Sequence, residues 1–161
     1  MYGGLAFNTA NPHRCCREPV TTSQPFSILL IDDDDVAAEA VVRGLRKHAC
    51  LCPIVLAENG HVALQILRSQ HAVRRIEKPY LAFLDLNMPR MNGFEFLHAL
   101  RADNALRATL VFVLSTSGTD ADRARAYEEN IAGYMVKAKL GPQLRGLAHF
   151  LIEYGSIILL P

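Results

Sequence analysis

The stretch SILLIDDDDVAAEAVVRGLRK, residues 27–47, decides the architecture. Its opening, Ser27–Ile31, is a short apolar run, the pattern of a strand buried on both faces. Four consecutive aspartates, Asp32 to Asp35, end that run. From Val36 to His48 the apolar positions Ala38, Val41, Val42 and Leu45 recur at helical spacing. A strand that hands over to a helix through a short acidic turn is the unit that the rest of the chain repeats.

Pro53–Ala57 is a second apolar run, and Gly60–Ser69 is helical with Ala63, Leu64 and Leu67 on one face. Tyr80–Leu84 predicts a third strand, followed by a helix over Phe94–Arg101 carrying Phe94, Leu97 and Leu100 inward. Leu110–Leu114 predicts a fourth strand, and Asp120–Glu129 a helix with Ala121, Ala124 and Tyr127 on one side. Gly133–Val136 is a short fifth strand. The last helix is expected to open at Pro142, since proline suits the first helical position, and to bury Leu144, Leu147, Ala148 and Leu151. Five strands alternating with five helices predict an α/β fold, a parallel sheet covered on both faces. In such sheets sites form beyond the carboxyl ends of the strands.

The flanks read differently. Residues 1–25 are rich in Asn, Pro, Thr, Ser and Gly without a sustained period and read as a flexible arm. The domain itself is expected over residues 26–153, and residues 154–161 form an apolar tail. The chain's 161 residues suit one core, and its net charge of +1 points to no nucleic-acid partner. No apolar run approaches the ~20 residues of a membrane-spanning helix. Asn8, Asn11 and His13 interrupt any secretory layout at the N-terminus, so the expected compartment is the cytoplasm, with no membrane partner. The four cysteines fall in two pairs, Cys15-Cys16 and Cys50-x-Cys52, neither with the C-x-x-C spacing of a zinc site. Although His13 and His48 lie nearby, the pairs read as reduced thiols, some filling core space.

The strand ends carry the chemistry. Asp32-Asp33-Asp34-Asp35 follows the first strand and Asp85-Leu86-Asn87-Met88-Pro89 the third. Ser115-Thr116-Ser117 follows the fourth and Lys137 the fifth. Asp34 or Asp35 reads as the N-cap of the first helix. Asp32 and Asp33 facing Asp85 is a different matter, because clustered carboxylates raise one another's pKa unless a cation intervenes. Mg²⁺, a hard cation held through a few carboxylates, waters and a phosphate, suits that set, and no EF-hand pattern is present. Lys137 is either a plain ion pair to these aspartates or the counter-charge for a phosphoryl group on Asp85. Ser115 is either a strand-end cap or a hydrogen-bond donor to that group.

With these motifs in order, residues from about Ser27 to Leu151 resemble the receiver domain of bacterial two-component response regulators. The matching elements are Leu30-Ile31-Asp32-Asp33-Asp34, Phe83-Leu84-Asp85-Leu86-Asn87-Met88-Pro89, Met91-Asn92-Gly93, Val113-Leu114-Ser115 and Gly133-Tyr134-Met135-Val136-Lys137. The resemblance implies a flavodoxin-like (βα)5 sandwich of strand order 2-1-3-4-5. It implies Asp85 as phosphoacceptor, Asp33 as a direct Mg²⁺ ligand and Asp32 as an acidic neighbour acting through water. Asn87 would offer its backbone carbonyl to the metal, Lys137 would hold the phosphoryl group, and Ser115 and Tyr134 would form the switch pair. The implied partners are a histidine kinase and a histidine phosphotransfer protein.

One departure stands out: Ala138 follows Lys137, where receivers usually have a proline joined by a cis bond, so a trans and differently shaped loop is expected. The segment His71–Pro79 and the run Val113-Leu114-Ser115-Thr116-Ser117 are similar to the small receivers that partner bacterial phytochrome kinases. That likeness predicts that the tail Ser156-Ile157-Ile158-Leu159-Leu160 packs on a second copy, as a homodimer arm, or on its own domain. After Leu151 too few residues remain for a DNA-binding helix-turn-helix. Ala138 alone favours a phosphorylation-independent interaction module. A flavin carrier is disfavoured because four aspartates would repel the flavin phosphate. A haloacid-type phosphatase is disfavoured because Asn87 stands where it needs an aspartate.

Overall fold

The computed structural model describes residues 26–158 and Leu160; the N-terminal arm expected over 1–25 lies outside the described residues, as do Leu159 and Pro161 of the tail. The strands are β1 (Ser27–Ile31), β2 (Ile54–Ala57), β3 (Tyr80–Leu84), β4 (Val111–Ser115) and β5 (Gly133–Val136). The helices are α1 (Asp35–Lys47), α2 (Gly60–Leu67), α3 (Gly93–Ala102), α4 (Asp120–Glu128) and α5 (Arg145–Ile157). All pairings are parallel and the strand order is β2-β1-β3-β4-β5, the flavodoxin-like order expected.

Because successive strand residues point to opposite faces, each central strand feeds two cores. Leu29, Ile31, Ala82, Leu84, Val111 and Val113 face α2, α3 and α4, where Phe96, Leu97 and Leu100 are buried. Ile28, Leu30, Leu81, Phe83, Phe112 and Leu114 face α1 and α5, against Val41, Leu45, Leu147 and Leu151. Phe83 stacks on Phe112, which meets Phe150 and Tyr154 edge-on.

Three details correct the sequence reading. In α3 the inward aromatic is Phe96, fully buried, whereas Phe94 is half-buried beneath the Arg125 guanidinium, 3.9 Å from its ring centroid. The phase of α3 is set at its start: the Asn92 side chain accepts from the Glu95 amide while Glu95 accepts from the Asn92 amide, a capping box. In α4, Ala121, Ala124 and Tyr127 face outward and Ala126 is the buried residue. Alanines contribute little burial free energy, so they do not decide which face turns in. Finally, Pro142 does not open the last helix. Pro142–Leu144 form a separate 3₁₀ turn, with Gln143 (φ 53°) and Leu144 (φ 57°) left-handed, and α5 starts at Arg145. That turn is pressed onto α1 at Gly44, where a Cβ would lie 2.5 Å from the Gln143 carbonyl oxygen.

At the far end of α5, Ile157 and Ile158 are exposed, while Leu160 is partly buried against the α1/α5 core. No helix among the described residues is long and apolar enough to cross a membrane.

The inversion of α3 gives a direct check. Phe96→Ala should destabilise the fold by about 3–5 kcal/mol and Phe94→Ala by less than about 1.5 kcal/mol, measured by urea denaturation. Equal losses would contradict the observed phase of the helix.

Candidate functional site

Strand register builds the site. Ile31 pairs with Leu84, so the residues that follow, Asp32 and Asp85, leave neighbouring strands side by side. The Asp85 amide donates to the Ile31 carbonyl at 2.9 Å and the Asp32 amide to the Ala57 carbonyl at 3.1 Å, extending the ladder to both aspartates. Carboxylate oxygens of Asp32, Asp33 and Asp85 all lie within 4.8 Å of one another. Asp32 and Asp85 are buried; Asp33 is exposed. Asp34 is the helix cap, its carboxylate accepting from the Val36 and Ala37 amides, so its neighbours are left for other work.

Lys137 reaches this cluster from the end of β5. Its ammonium donates to Asp32 Oδ2 at 2.9 Å and lies 3.8 Å from Asp85 Oδ1. The one cis peptide bond among the described residues is Lys78–Pro79, so Lys137–Ala138 is trans, and Lys137–Lys139 turn as a short 3₁₀ segment. With alanine at 138, Lys137 still reaches the carboxylates.

The remaining predicted residues take distinct places. The Asn87 amide donates to Asp85 Oδ2 at 3.2 Å, while its side chain is exposed. Ser115 is fully buried at the end of β4, its hydroxyl oxygen accepting from the Ser117 amide at 3.1 Å. The Tyr134 hydroxyl donates to the Ser117 carbonyl at 3.0 Å. Ser115 and Tyr134 are thus joined through Ser117 rather than bonded to the carboxylates.

Sequence reading missed that hub. The Ser117 hydroxyl donates to Asp122 Oδ2 at 3.0 Å, and the Thr119 hydroxyl to the same oxygen at 2.7 Å. These bonds, Thr119's first and Ser117's second, hold the Asp122 carboxyl below the usual carboxylate range. The signal was present in Thr119-Asp120-Ala121-Asp122, a Thr-x-x-acid start for α4. Gly93, part of the matching element Met91-Asn92-Gly93, has a steric role: a Cβ there would lie 2.7 Å from the Leu86 Cα and 2.9 Å from the Asp85 carbonyl oxygen. Only glycine lets α3 approach the loop that carries Asp85 so closely.

Burial pushes the Asp85 carboxyl above its ordinary value; Lys137 opposes this, and Asp32 and Asp33 add to it. Three carboxylates facing one ammonium leave excess negative charge in a partly dry pocket, the condition a divalent cation relieves. The donor set is all oxygen, which fits Mg²⁺ or Mn²⁺ rather than a soft metal.

An acidic cluster met by a lysine, at the carboxyl edge of a 2-1-3-4-5 sheet, is the layout of receiver-type signalling domains. The chain belongs to the response regulator receiver domain family, whose sequence model matches residues 28–147. A probable methanogenesis regulatory protein, FilR2 of Methanothrix harundinacea, is 32% identical over 81% of this chain and 83% of its own. The Mn²⁺-bound form of response regulator Rcp1 superposes with a TM-score of 0.71 at 25% identity, covering 85% of this chain and 99% of that one; Rcp1 comes from a Synechocystis species. The bacteriophytochrome response regulator AtBRR gives a TM-score of 0.66 at 26% identity, over 83% of this chain and 94% of that one.

The raised Asp85 value has a stability consequence. The folded chain binds this proton more readily than the unfolded chain, so stability falls as pH rises from the ordinary aspartate value through the raised one. In a chelating buffer at neutral pH, Asp85→Asn should raise the melting temperature by about 2–6 °C. That gain should vanish as pH is lowered below the carboxylate range. A melting temperature lowered at neutral pH would mean that the Lys137 pairing outweighs the burial cost.

Proposed function

We propose that this chain is a response regulator that accepts a phosphoryl group from a phosphohistidine of a histidine kinase onto Asp85, in a Mg²⁺-dependent reaction. The observation that carries the reading is the convergence of Asp32, Asp33 and Asp85 oxygens within 4.8 Å, with the Lys137 ammonium against two of them. A carboxylate oxygen of Asp85 attacks phosphorus in line as the phosphorus–nitrogen bond breaks and its electron pair leaves with the imidazole. The bond from the Asn87 amide and the nearby Lys137 ammonium hold the two Asp85 oxygens in advance, which is the positioning that phosphoryl transfer requires. Asp32, Asp33 and Asp85, with the Asn87 backbone carbonyl, are the groups that would hold Mg²⁺. The ion, when bound, supplies charge neutralisation for the phosphoryl oxygens.

The same geometry suggests how the signal leaves. Ser115 turns its hydroxyl from the Ser117 amide toward a new phosphoryl oxygen, and Lys137 shifts from Asp32 toward Asp85. Tyr134, tied to the Ser117 carbonyl, follows the β4–α4 loop. Water later hydrolyses the acyl phosphate and resets the switch. Output passes through partner binding or relay to a histidine phosphotransfer protein in the cytoplasm. The likeness to a bacteriophytochrome response regulator supports a phytochrome kinase as the input. The exposed Ile157 and Ile158 support a homodimer built on the tail.

Acetyl phosphate with and without Mg²⁺, read by intact mass, tests the transfer. Wild type should gain one phosphoryl group only with Mg²⁺, Asp85→Asn none, and Lys137→Ala at a rate lower by about tenfold or more. If wild type gains nothing and beryllofluoride also fails to bind, the phosphoacceptor reading falls. For the tail, sedimentation should show a dimer in the full chain and a monomer after Ile157→Glu with Ile158→Glu; a monomeric wild type removes the dimer.

A further inference from the structure

A pair of buried thiols lies at the opposite, amino-terminal edge of the sheet. After α1 the chain turns through Ala49 (φ 60°), and the Cys50 amide donates to the Leu45 carbonyl at 3.0 Å. Three residues later the Pro53 carbonyl accepts from the Ile28 amide at 2.8 Å. Between these anchors Cys50 and Cys52 point inward, 1% and 2% exposed, and Leu51 points out at 64%. Both thiols are free, and their sulfurs lie 3.5 Å apart.

Anchoring on both sides means that neither sulfur has to search for the other. A disulfide needs about 2.05 Å between sulfurs, so closure asks for a shift of roughly 1.5 Å, within the reach of rotamer adjustment. Among the described residues no third histidine, cysteine or carboxylate completes a metal-ligand group with the two sulfurs, and the one such group is the aspartate cluster. The two thiols also differ. A hydrogen bond from the Cys52 thiol, opposed by burial and helped by the Cys52 amide, draws the Cys50 thiol below its ordinary value. The same bond and burial push the Cys52 thiol up. The two shifts run in opposite directions, which makes Cys50 the sulfur that gives up its proton more readily.

We propose that Cys50 and Cys52 form a reversible dithiol–disulfide couple, oxidised by small hydroperoxides. The Cys50 thiolate attacks the terminal oxygen of the hydroperoxide, the O–O bond breaks, and the released alkoxide takes a proton to leave as an alcohol. Cys50 is then a sulfenic acid. The Cys52 sulfur attacks it, the S–O bond breaks, and water leaves with the Cys52 proton. In sum two thiols and one hydroperoxide give one disulfide, one alcohol and one water. Burial of both sulfurs restricts the oxidant to small molecules. The small ring of a Cys-x-Cys bridge keeps it open to reduction by dithiols.

The test uses the full chain with Cys15→Ser and Cys16→Ser, leaving two thiols. After hydrogen peroxide or tert-butyl hydroperoxide, free thiols are alkylated under denaturing conditions and the peptide containing Leu51 is analysed by mass. We expect loss of two hydrogens, reversed by dithiothreitol, and in Cys52→Ser an about tenfold rise in dimedone-trapped sulfenic acid at Cys50. A circular dichroism spectrum identical to that of the parent chain verifies the variant's fold. Recovery of both cysteines as alkylated thiols would overturn the couple. So would Cys50 sulfinic acid beside an unmodified Cys52, or bridging that is no faster in the folded chain than in urea. Phosphorylation of Asp85 is a separate readout, so failure of the phosphoacceptor reading leaves this one standing.

Discussion

The register between β1 and β3 is the constraint on which the rest of the site depends. It sets Asp32 and Asp85 side by side at the ends of two hydrogen-bonded strands, and the ladder continues to both of their amides. The charges cannot relax by sliding the strands. A slip of one residue would turn Leu29, Leu30, Phe83 and Leu84 to the wrong faces and exchange the two cores. Apolar burial on both sides of the sheet therefore imposes a like-charge contact that the chain would otherwise avoid. Lys137 offsets part of that repulsion and leaves a remainder of the kind that a divalent cation would relieve.

The supporting loops brace this arrangement from two sides. The α3 capping box and Gly93 hold the segment after Asp85 from below. On the other side, Ser117 collects a bond from the Tyr134 hydroxyl at its carbonyl, gives its amide to Ser115, and gives its hydroxyl to Asp122. Ser117, which bonds Ser115 directly, thus touches none of Asp32, Asp33 and Asp85. α4 is fastened by its cap and by one buried alanine, so the element attached to this hub is also the one with the least apolar anchorage.

Much of this is legible in the amino-acid sequence. Ser27–Ile31 and Tyr80–Leu84 fall where their apolar runs predict, because a strand buried on two faces needs an unbroken run and little else. The helix faces were harder. Phe94 and Phe96 are equally apolar, and the choice between them was made by a cap at Asn92 and Glu95. Pro142 carries a start signal, but the close contact with Gly44 turned its segment into a separate turn.

The order of strands and helices, the four strand ends that carry acid, hydroxyl and ammonium, and the receiver resemblance were all properties of the linear sequence. They are written in local composition and spacing, which the chain cannot hide. The distances were not. That Lys137 stands 2.9 Å from Asp32 and 3.8 Å from Asp85, and that Tyr134 reaches the Ser117 carbonyl, depend on segments brought together by packing. Only the tertiary structure decided these, because side-chain reach is set by which backbones are neighbours, and that is a property of the whole core.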